Sequence, residues 1–508
     1  MSAEIPDQFT AVRISRGASY LIAQTLIYNG VLVVSFAILT RLVTPTEIGV
    51  WTVLTFLAGV CQTLVSLGFQ PAATRYVAEE IANGRRQAAA SIFYQSIRFT
   101  LLLATPVSIA VFLGAPVLSE LLLGERGYSI LIQIAALDIL IYAGALPVLT
   151  GTLLGLQKFK ESATINVVIG SIFRQGLILS LIIILKDFVG LVIGWVISDI
   201  ATASILALYV VSNLGPPRFE FPLRRLLRFS WPLGFGNIAS LAQSWFDRVL
   251  LVAFVPLATL GIYNATITAF TVLTGIANSM ATALLPAYSA MGSDSRTIGR
   301  ASAMGSRYAC LVLAPLSLGL LATAKPALTL FVGQAYIEGT IPLMVLSGVF
   351  ALTGLTAAAL NPILLSLEKT KTSSLITVLS VTVGIASAIS LLPFSGINGA
   401  SVARGLAMIA GSAMIIIALK KYIQLRLTLK TIWKSLAGSG IMAVVVLVLQ
   451  IPFYNKLLLP VYVLVGAGVY LLMLRLLKAT TEDDLVLVGN YLGERSQIIT
   501  KILRKVLL

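Results

Sequence analysis

Uninterrupted apolar runs of about 20 residues recur from one end of this chain to the other, and no other feature limits its fold as much. A hydrocarbon core of roughly 30 Å takes about 20 residues of helix to cross. Runs of that length lie near residues 18–40, 48–69, 90–113, 128–153, 163–185, 189–211, 231–254, 258–283, 307–330, 341–366, 374–393, 397–419, 435–453 and 457–477. Inside lipid every backbone polar group must be satisfied within the segment or within a closed barrel. These runs are apolar on most faces and lack the two-residue alternation of a barrel strand, so they read as helices. The expected fold is an all-α integral membrane protein with fourteen transmembrane helices, here called spans 1 to 14. Span 1 is too long for a cleavable leader and runs straight into the repeating pattern, so no signal peptide is expected.

Charge placement sets the orientation. Of 508 residues only 11% are charged, yet Lys and Arg number 36 against 20 Asp and Glu, a formal net charge of +16. The great majority of the basic residues fall in loops on the side of the N-terminus, which places both termini in the cytoplasm of a multi-pass plasma-membrane protein. They are scattered over the inner loops, with clusters at Arg224, Arg225, Arg228 and at Lys420, Lys421. That spread fits anionic lipid headgroups and not a nucleic-acid groove, so no nucleic-acid partner is expected. Histidine is absent and the two cysteines, Cys61 and Cys310, both sit in apolar runs. A metal site and a disulfide framework are therefore not expected, and no phosphate-binding glycine loop suggests ATP chemistry.

The chain also repeats itself. "GLQKFKES" from Gly155 returns as "SLEKTKTS" from Ser366, an offset of 211, with Leu, both Lys and the final Ser in register. "RFTLLLATP" from Arg98 returns as "RYACLVLAP" from Arg307, and Gly49, Val50, Trp51 return as Gly261, Ile262, Tyr263. Spans 1–6 and 7–12 thus read as two copies of one bundle, parallel because each copy has an even number of spans. The expected organisation is an N-terminal lobe (1–211), a cytoplasmic linker (212–230), a C-terminal lobe (231–421), spans 13 and 14 (422–478) and a cytoplasmic amphipathic tail (479–508), the two six-helix lobes facing a central cleft. The paired lysines of the octet serve as orientation anchors on an inner loop.

Polar residues inside spans point to what the lobes handle. Thr52, Thr55, Gly59, Gln62 and Ser66 share one helical face, and Gln24, Asn29, Asn237 and Asn264 lie in polar stripes on spans 1, 7 and 8. Small polar residues are also ordinary glue between membrane helices, the expected role of Ser373, Thr377, Ser380 and Ser387. Arg98, Arg174, Arg248, Arg307 and Arg404 oppose Asp138, Asp199 and Asp247 within or at the edge of spans. Each costs roughly 2.5–3.5 kcal/mol at a helix centre and needs a partner or water. Arg174 and Asp199 stand equally far from the turn at Lys186 and Asp187, so they should meet. Arg98 is expected to reach Asp138, and the side chains of adjacent Asp247 and Arg248 to diverge. The surplus of guanidinium favours an anion, above all phosphate oxygens.

The stretches "ILTRLVTPTEIGVWTVL", "WFDRVLLVAFVPLATLGIYNATI" and "ALTLFVGQAYIEG" resemble the polysaccharide-lipid flippases of the multidrug/oligosaccharidyl-lipid/polysaccharide exporter superfamily. The resemblance covers nearly the whole chain, including six plus six plus two spans; the Arg-rich first-helix signature of the lipid II flippase branch is missing. It implies a non-enzymatic carrier that moves a polyprenyl-diphosphate-linked oligosaccharide from the cytoplasmic to the outer leaflet by alternating access. On that reading Arg404, Arg174 and Arg248 offer charge to the diphosphate, while Gln24, Asn29, Gln62, Asn237 and Asn264 meet sugar hydroxyls. Arg98 and Arg307 receive the headgroup at the inner mouth. Asp138, Asp199 and Asp247 are the candidates for Na⁺ or H⁺ coupling, and no other cofactor is expected. The expected partners are the lipid-linked sugar diphosphate and membrane lipids, with the protein a monomer beside glycan-assembly proteins. Two alternatives are a cation-coupled multidrug exporter of the same superfamily, which would want an acidic pocket, and a membrane glycosyl polymerase or transferase, which would want carboxylates on larger outer loops.

Overall fold

The computed structural model describes residues 8–216, 222–292 and 294–479, and among these every regular element is helical. The chain runs through α1 (Gln8–Leu42), α2 (Pro45–Ser66), α3 (Phe69–Ala82), α4 (Arg86–Leu123), α5 (Ser129–Ile139), α6 (Leu146–Gly155), α7 (Phe159–Val167), α8 (Arg174–Leu185) and α9 (Val189–Leu214). It continues through α10 (Leu223–Val252), α11 (Leu257–Ala290), α12 (Ser295–Ala322), α13 (Ala324–Phe331), α14 (Thr340–Leu355), α15 (Asn361–Ser366), α16 (Thr370–Tyr422), α17 (Leu429–Gln450) and α18 (Leu459–Leu476). Single π-helical turns at Leu140–Ala145, Val168–Phe173 and Thr356–Leu360 join α5 to α6, α7 to α8 and α14 to α15 into continuous rods.

Local chemistry explains where the rods begin and turn. Thr44 caps α2 through a capping box: its Oγ1 accepts from the Glu47 N–H at 3.3 Å, and Glu47 Oε2 accepts from the Thr44 N–H at 2.6 Å, with Pro45 at the first helical position. Asp294 starts α12 by accepting from the N–H groups of Arg296 and Thr297. Residues 370–422 are one helix only in name. Gly396, with φ 48° and ψ −126°, breaks it into antiparallel arms, 370–395 and 397–422. Thr372 and Tyr422, at the two open ends, lie 3.2 Å apart through their hydroxyls. An L side chain at that φ would be strained, so glycine permits this reversal without a loop.

Among the described residues twelve stretches are long and apolar enough to span a membrane. The sequence reading expects fourteen, and the difference lies in two places. The two arms of α16 count as a single stretch, and α10, with Arg224, Arg225, Arg228, Asp247 and Arg248, is absent from the twelve. The protein is a multi-pass membrane protein.

The helices gather into two compact units, residues 1–245 with 256–261, and residues 246–255 with 262–508. In the first, Phe69, Tyr76, Ile92, Leu153 and Leu206 form a core around short α3, and Leu226 of α10 is fully buried in it. Arg225 locks that end of α10 down, its Nη2 2.8 Å from Glu79 Oε1 and its guanidinium over the Tyr76 ring. Also in the first unit, α2 and the first turn of α11 meet backbone to backbone. A Cβ on Gly49 would stand 2.0 Å from the Leu257 carbonyl oxygen, and one on Gly261 would stand 1.9 Å from that of Pro45. In the second unit α17 and α18 close on α12 through Ala322, Met442, Val446, Tyr462 and Tyr470. Residues 424–428 before α17 have no regular structure; the Gln424 N–H donates to Ser295 Oγ and the Arg426 carbonyl accepts from Ser302. The tail helices expected after Ala479 lie outside the described residues.

The repeat is visible in backbone detail. Gln157 and Glu368, at equivalent places in the two octets, both take a left-handed conformation, φ 57° and 58°. The next N–H, of Lys158 or Lys369, returns to the carbonyl five residues back, Leu153 or Leu364, at 3.0 and 2.9 Å. Pro106 and Pro315, matched in sequence, both sit inside long helices, α4 and α12.

Candidate functional site

Each unit buries its own cluster of charge. In the first, Arg174 opens α8 directly after a π-helical turn, and its Nη1 lies 3.1 Å from Asp199 Oδ1 on α9, as equal distance from the hairpin turn predicts. The guanidinium rests 5.8 Å from the Trp195 ring, and Trp195 stands edge-on to Trp51 and Tyr142. Asp138 is 1% exposed, and neither of its oxygens has a hydrogen-bond donor among the described residues. Its charged neighbours are Asp199 and Arg174. Arg98 is exposed, so the expected Arg98–Asp138 contact is corrected. The loop between α4 and α5 offsets the two helices, and Asp138 faces α9 instead.

The π-helical turn after Asp138 explains part of the polar stripe on α2. A π turn skips one regular hydrogen bond and frees carbonyls. Thr100 Oγ1 donates to the Gly144 carbonyl at 2.6 Å, and Gln62 Nε2 to that of Tyr142 at 3.4 Å. Thr52, Thr55 and Thr63 bond their own helix. Gln24 and Asn29 are half-buried on α1, and Asn237 is exposed on α10. The span 11 serines bond back one turn, the packing role expected of them.

In the second unit Asp247 is fully buried at the centre of a denser network. Arg404, on the second arm of α16, grips it with two bonds, Nε to Oδ2 at 2.5 Å and Nη2 to Oδ1 at 2.9 Å. Tyr263 donates to Oδ2 at 2.7 Å, and the Arg248 backbone N–H to Oδ1 at 2.9 Å. The Arg248 side chain turns away, as expected, and its Nη1 donates to Asn264 Oδ1 at 3.0 Å. Two guanidiniums thus accompany one carboxylate, Arg404 bonded to it and Arg248 to neighbouring Asn264. Arg307, half-buried on α12, reaches the Ala479 carbonyl at 3.4 Å.

Sequence reasoning missed the aromatic members Trp195, Tyr142 and Tyr263. One signal was present: Trp51 and Tyr263 are repeat partners, and each stands in its unit's cluster. No group of three His, Cys, Asp or Glu side chains suited to a metal occurs among the described residues.

The profile of the polysaccharide biosynthesis protein family matches residues 14–291, more than half of the chain. The chain belongs to the polysaccharide biosynthesis protein family. A curated relative, the probable flippase AglR of Haloferax volcanii, is 28% identical over 273 residues, 51% of this chain and 55% of AglR. The match thus spans about half the length of that relative. Among solved structures, the lipid II flippase MurJ in an inward closed conformation superposes with a TM-score of 0.70 at 14% identity, over 92% of this chain and 98% of MurJ. An inward-facing multidrug resistance transporter of the MATE family and MOP superfamily gives 0.61 at 16%, over 79% and 96%. This member of the family therefore shares the fold of MurJ and of the MATE transporter.

Proposed function

We propose that this polysaccharide biosynthesis protein carries a polyprenyl-diphosphate-linked oligosaccharide from the cytoplasmic to the outer leaflet, exposing its headgroup first to one side and then to the other. The observation that carries the reading is the second unit's cluster, where Arg248 and Arg404 flank the single carboxylate of Asp247. A buried net positive charge attracts an anionic headgroup and repels a cationic drug. Guanidinium pairs with phosphate oxygens through parallel hydrogen bonds. A sugar diphosphate crossing bare hydrocarbon would shed its water without compensation; polar groups such as Asn264 replace that water. The carrier makes and breaks no covalent bond. A relative that is a probable flippase and a family tied to polysaccharide biosynthesis support the reading. The bias of Lys and Arg supports a plasma-membrane setting with cytoplasmic termini.

Arg248 is the position to test, because its Nη1 donates to the neutral amide of Asn264 and Asp247 keeps both Arg404 bonds when Arg248 is replaced. In proteoliposomes, Arg248→Gln should slow the appearance of sugar-lipid to an external lectin by about tenfold or more, the weight of one charge-assisted hydrogen bond. Lectin access at the wild-type rate, with equal protein incorporated, rules the reading out.

A further inference from the structure

Asp138 poses a problem of charge that its surroundings solve in one way. It is 1% exposed on α5, and both of its oxygens are without a donor among the described residues. Asp199, 2% exposed, has the same deficit on one side: Oδ1 takes the Arg174 guanidinium while Oδ2 is unsatisfied. Both α5 and α8 pack on α9, which brings the three side chains together. The other titratable groups at the cluster are the phenols of Tyr142, on the π-helical turn, and Tyr28, on α1.

Two ionised carboxylates with one guanidinium would leave a net negative charge shut away from water, at a cost of several kcal/mol. Two carboxyls that face each other as acceptors are both satisfied by a single proton, which converts one into a donor and leaves the cluster neutral with Arg174. A hard metal cation fits poorly, since it takes about six oxygen ligands. Three unsatisfied carboxyl oxygens beside a guanidinium and an indole do not supply them. We infer that Asp138 and Asp199 form a carboxyl pair holding one exchangeable proton inside the first unit, with Arg174 as its fixed counter-charge. Arg174 is 20% exposed and connects the pair to the outside. Of the three acids, Asp247 is least suited to this role, because both its oxygens are already occupied by Arg404, Tyr263 and a backbone N–H. A second proton on the pair would release Arg174 for an anion, so headgroup binding should take up protons. That consequence rests on the transport reading; the proton itself does not.

The test is infrared difference spectroscopy of the full chain in lipid nanodiscs near neutral pH. The wild type should show a protonated-carboxyl C=O stretch that shifts in D₂O and disappears in both Asp138→Asn and Asp199→Asn. Glu80→Gln, at an acid bridged to Arg85, should leave it in place. Asp138→Asn keeps the Arg174–Asp199 pair and should fold and melt like the wild type. A wild type lacking the band, a band unmoved by D₂O, or one indifferent to Asp138→Asn overturns the proposal. In the same discs, farnesyl diphosphate should bind more tightly as pH falls, and less steeply so in Asp138→Asn; an equal pH dependence in the variant overturns the coupling of headgroup to the pair, while the band alone decides the proton. An intact band in a protein that flips no sugar-lipid counts against the transport reading alone.

Discussion

Asp247 illustrates how a single side chain becomes indispensable without touching a ligand. Replacing it with Ala would bury Arg404 and Arg248 around an empty place, and losing one member of a buried pair costs about 3–5 kcal/mol. Asp247→Ala should therefore show a clear loss of stability in chemical unfolding from detergent, whereas the paired Asp247→Asn, Arg404→Gln variant should recover much of it. The Arg174–Asp199 pair was legible in the sequence because a short hairpin fixes the depth of both arms. The Arg404–Asp247 pair was not, because its members sit 157 residues apart on helices that no short turn relates. The sequence does show that Arg404 has no acid within its own four-span neighbourhood. It does not show that a carboxylate from α10 comes to it. Gln62, read as a sugar contact, also donates to the Tyr142 carbonyl, since a π-helical turn leaves no mark on a 3.6-residue pattern.

At the scale of the element, run lengths located the spans but not their ends, which side-chain caps set: Thr-Pro-x-Glu at Thr44 and Asp-x-x-Thr at Asp294 each cap a helix. Donors from the Thr297 hydroxyl and the Arg296 N–H hold the Asp294 carboxyl below the usual range. A depressed carboxyl stabilises the fold above its unfolded value, and that contribution fades as pH falls through the folded one. Asp294→Asn should accordingly flatten the acid limb of a melting-temperature profile, with little change near neutrality. The reversal at Gly396 was legible only as a gap between two apolar runs. Gly396→Ala forces an L side chain into a backbone region that costs about 1–3 kcal/mol, and thermal melting should report a loss of that order. The irregular course of residues 424–428 before α17 follows from Ser295, which accepts from the Gln424 N–H, and Ser302, which donates to the Arg426 carbonyl, in place of helical bonds.

For the whole molecule, apolar run length alone recovers the all-α membrane class, because lipid leaves the backbone few other choices. The run-length reading keeps 231–254 and the two arms of α16 as separate spans, whereas a count by continuous helix merges those arms across Gly396 and passes over the polar, charged α10. A fluorescent protein fused after Leu508 should fold and fluoresce in the cytoplasm, and a reporter active only outside the membrane should stay silent there; the reverse pattern would invert the proposed orientation. The two octets carry the deeper lesson. They adopt the same left-handed residue and the same return hydrogen bonds despite differing at four of eight positions. They behave as interchangeable parts from a duplicated ancestor, so swapping the segment 155–162 for 366–373 should yield a chimera that inserts and melts like its parent. Each half therefore buries its own chemistry, a carboxyl pair beside Arg174 in one and a carboxylate gripped by Arg404 in the other, on helices turned by the same small backbone device.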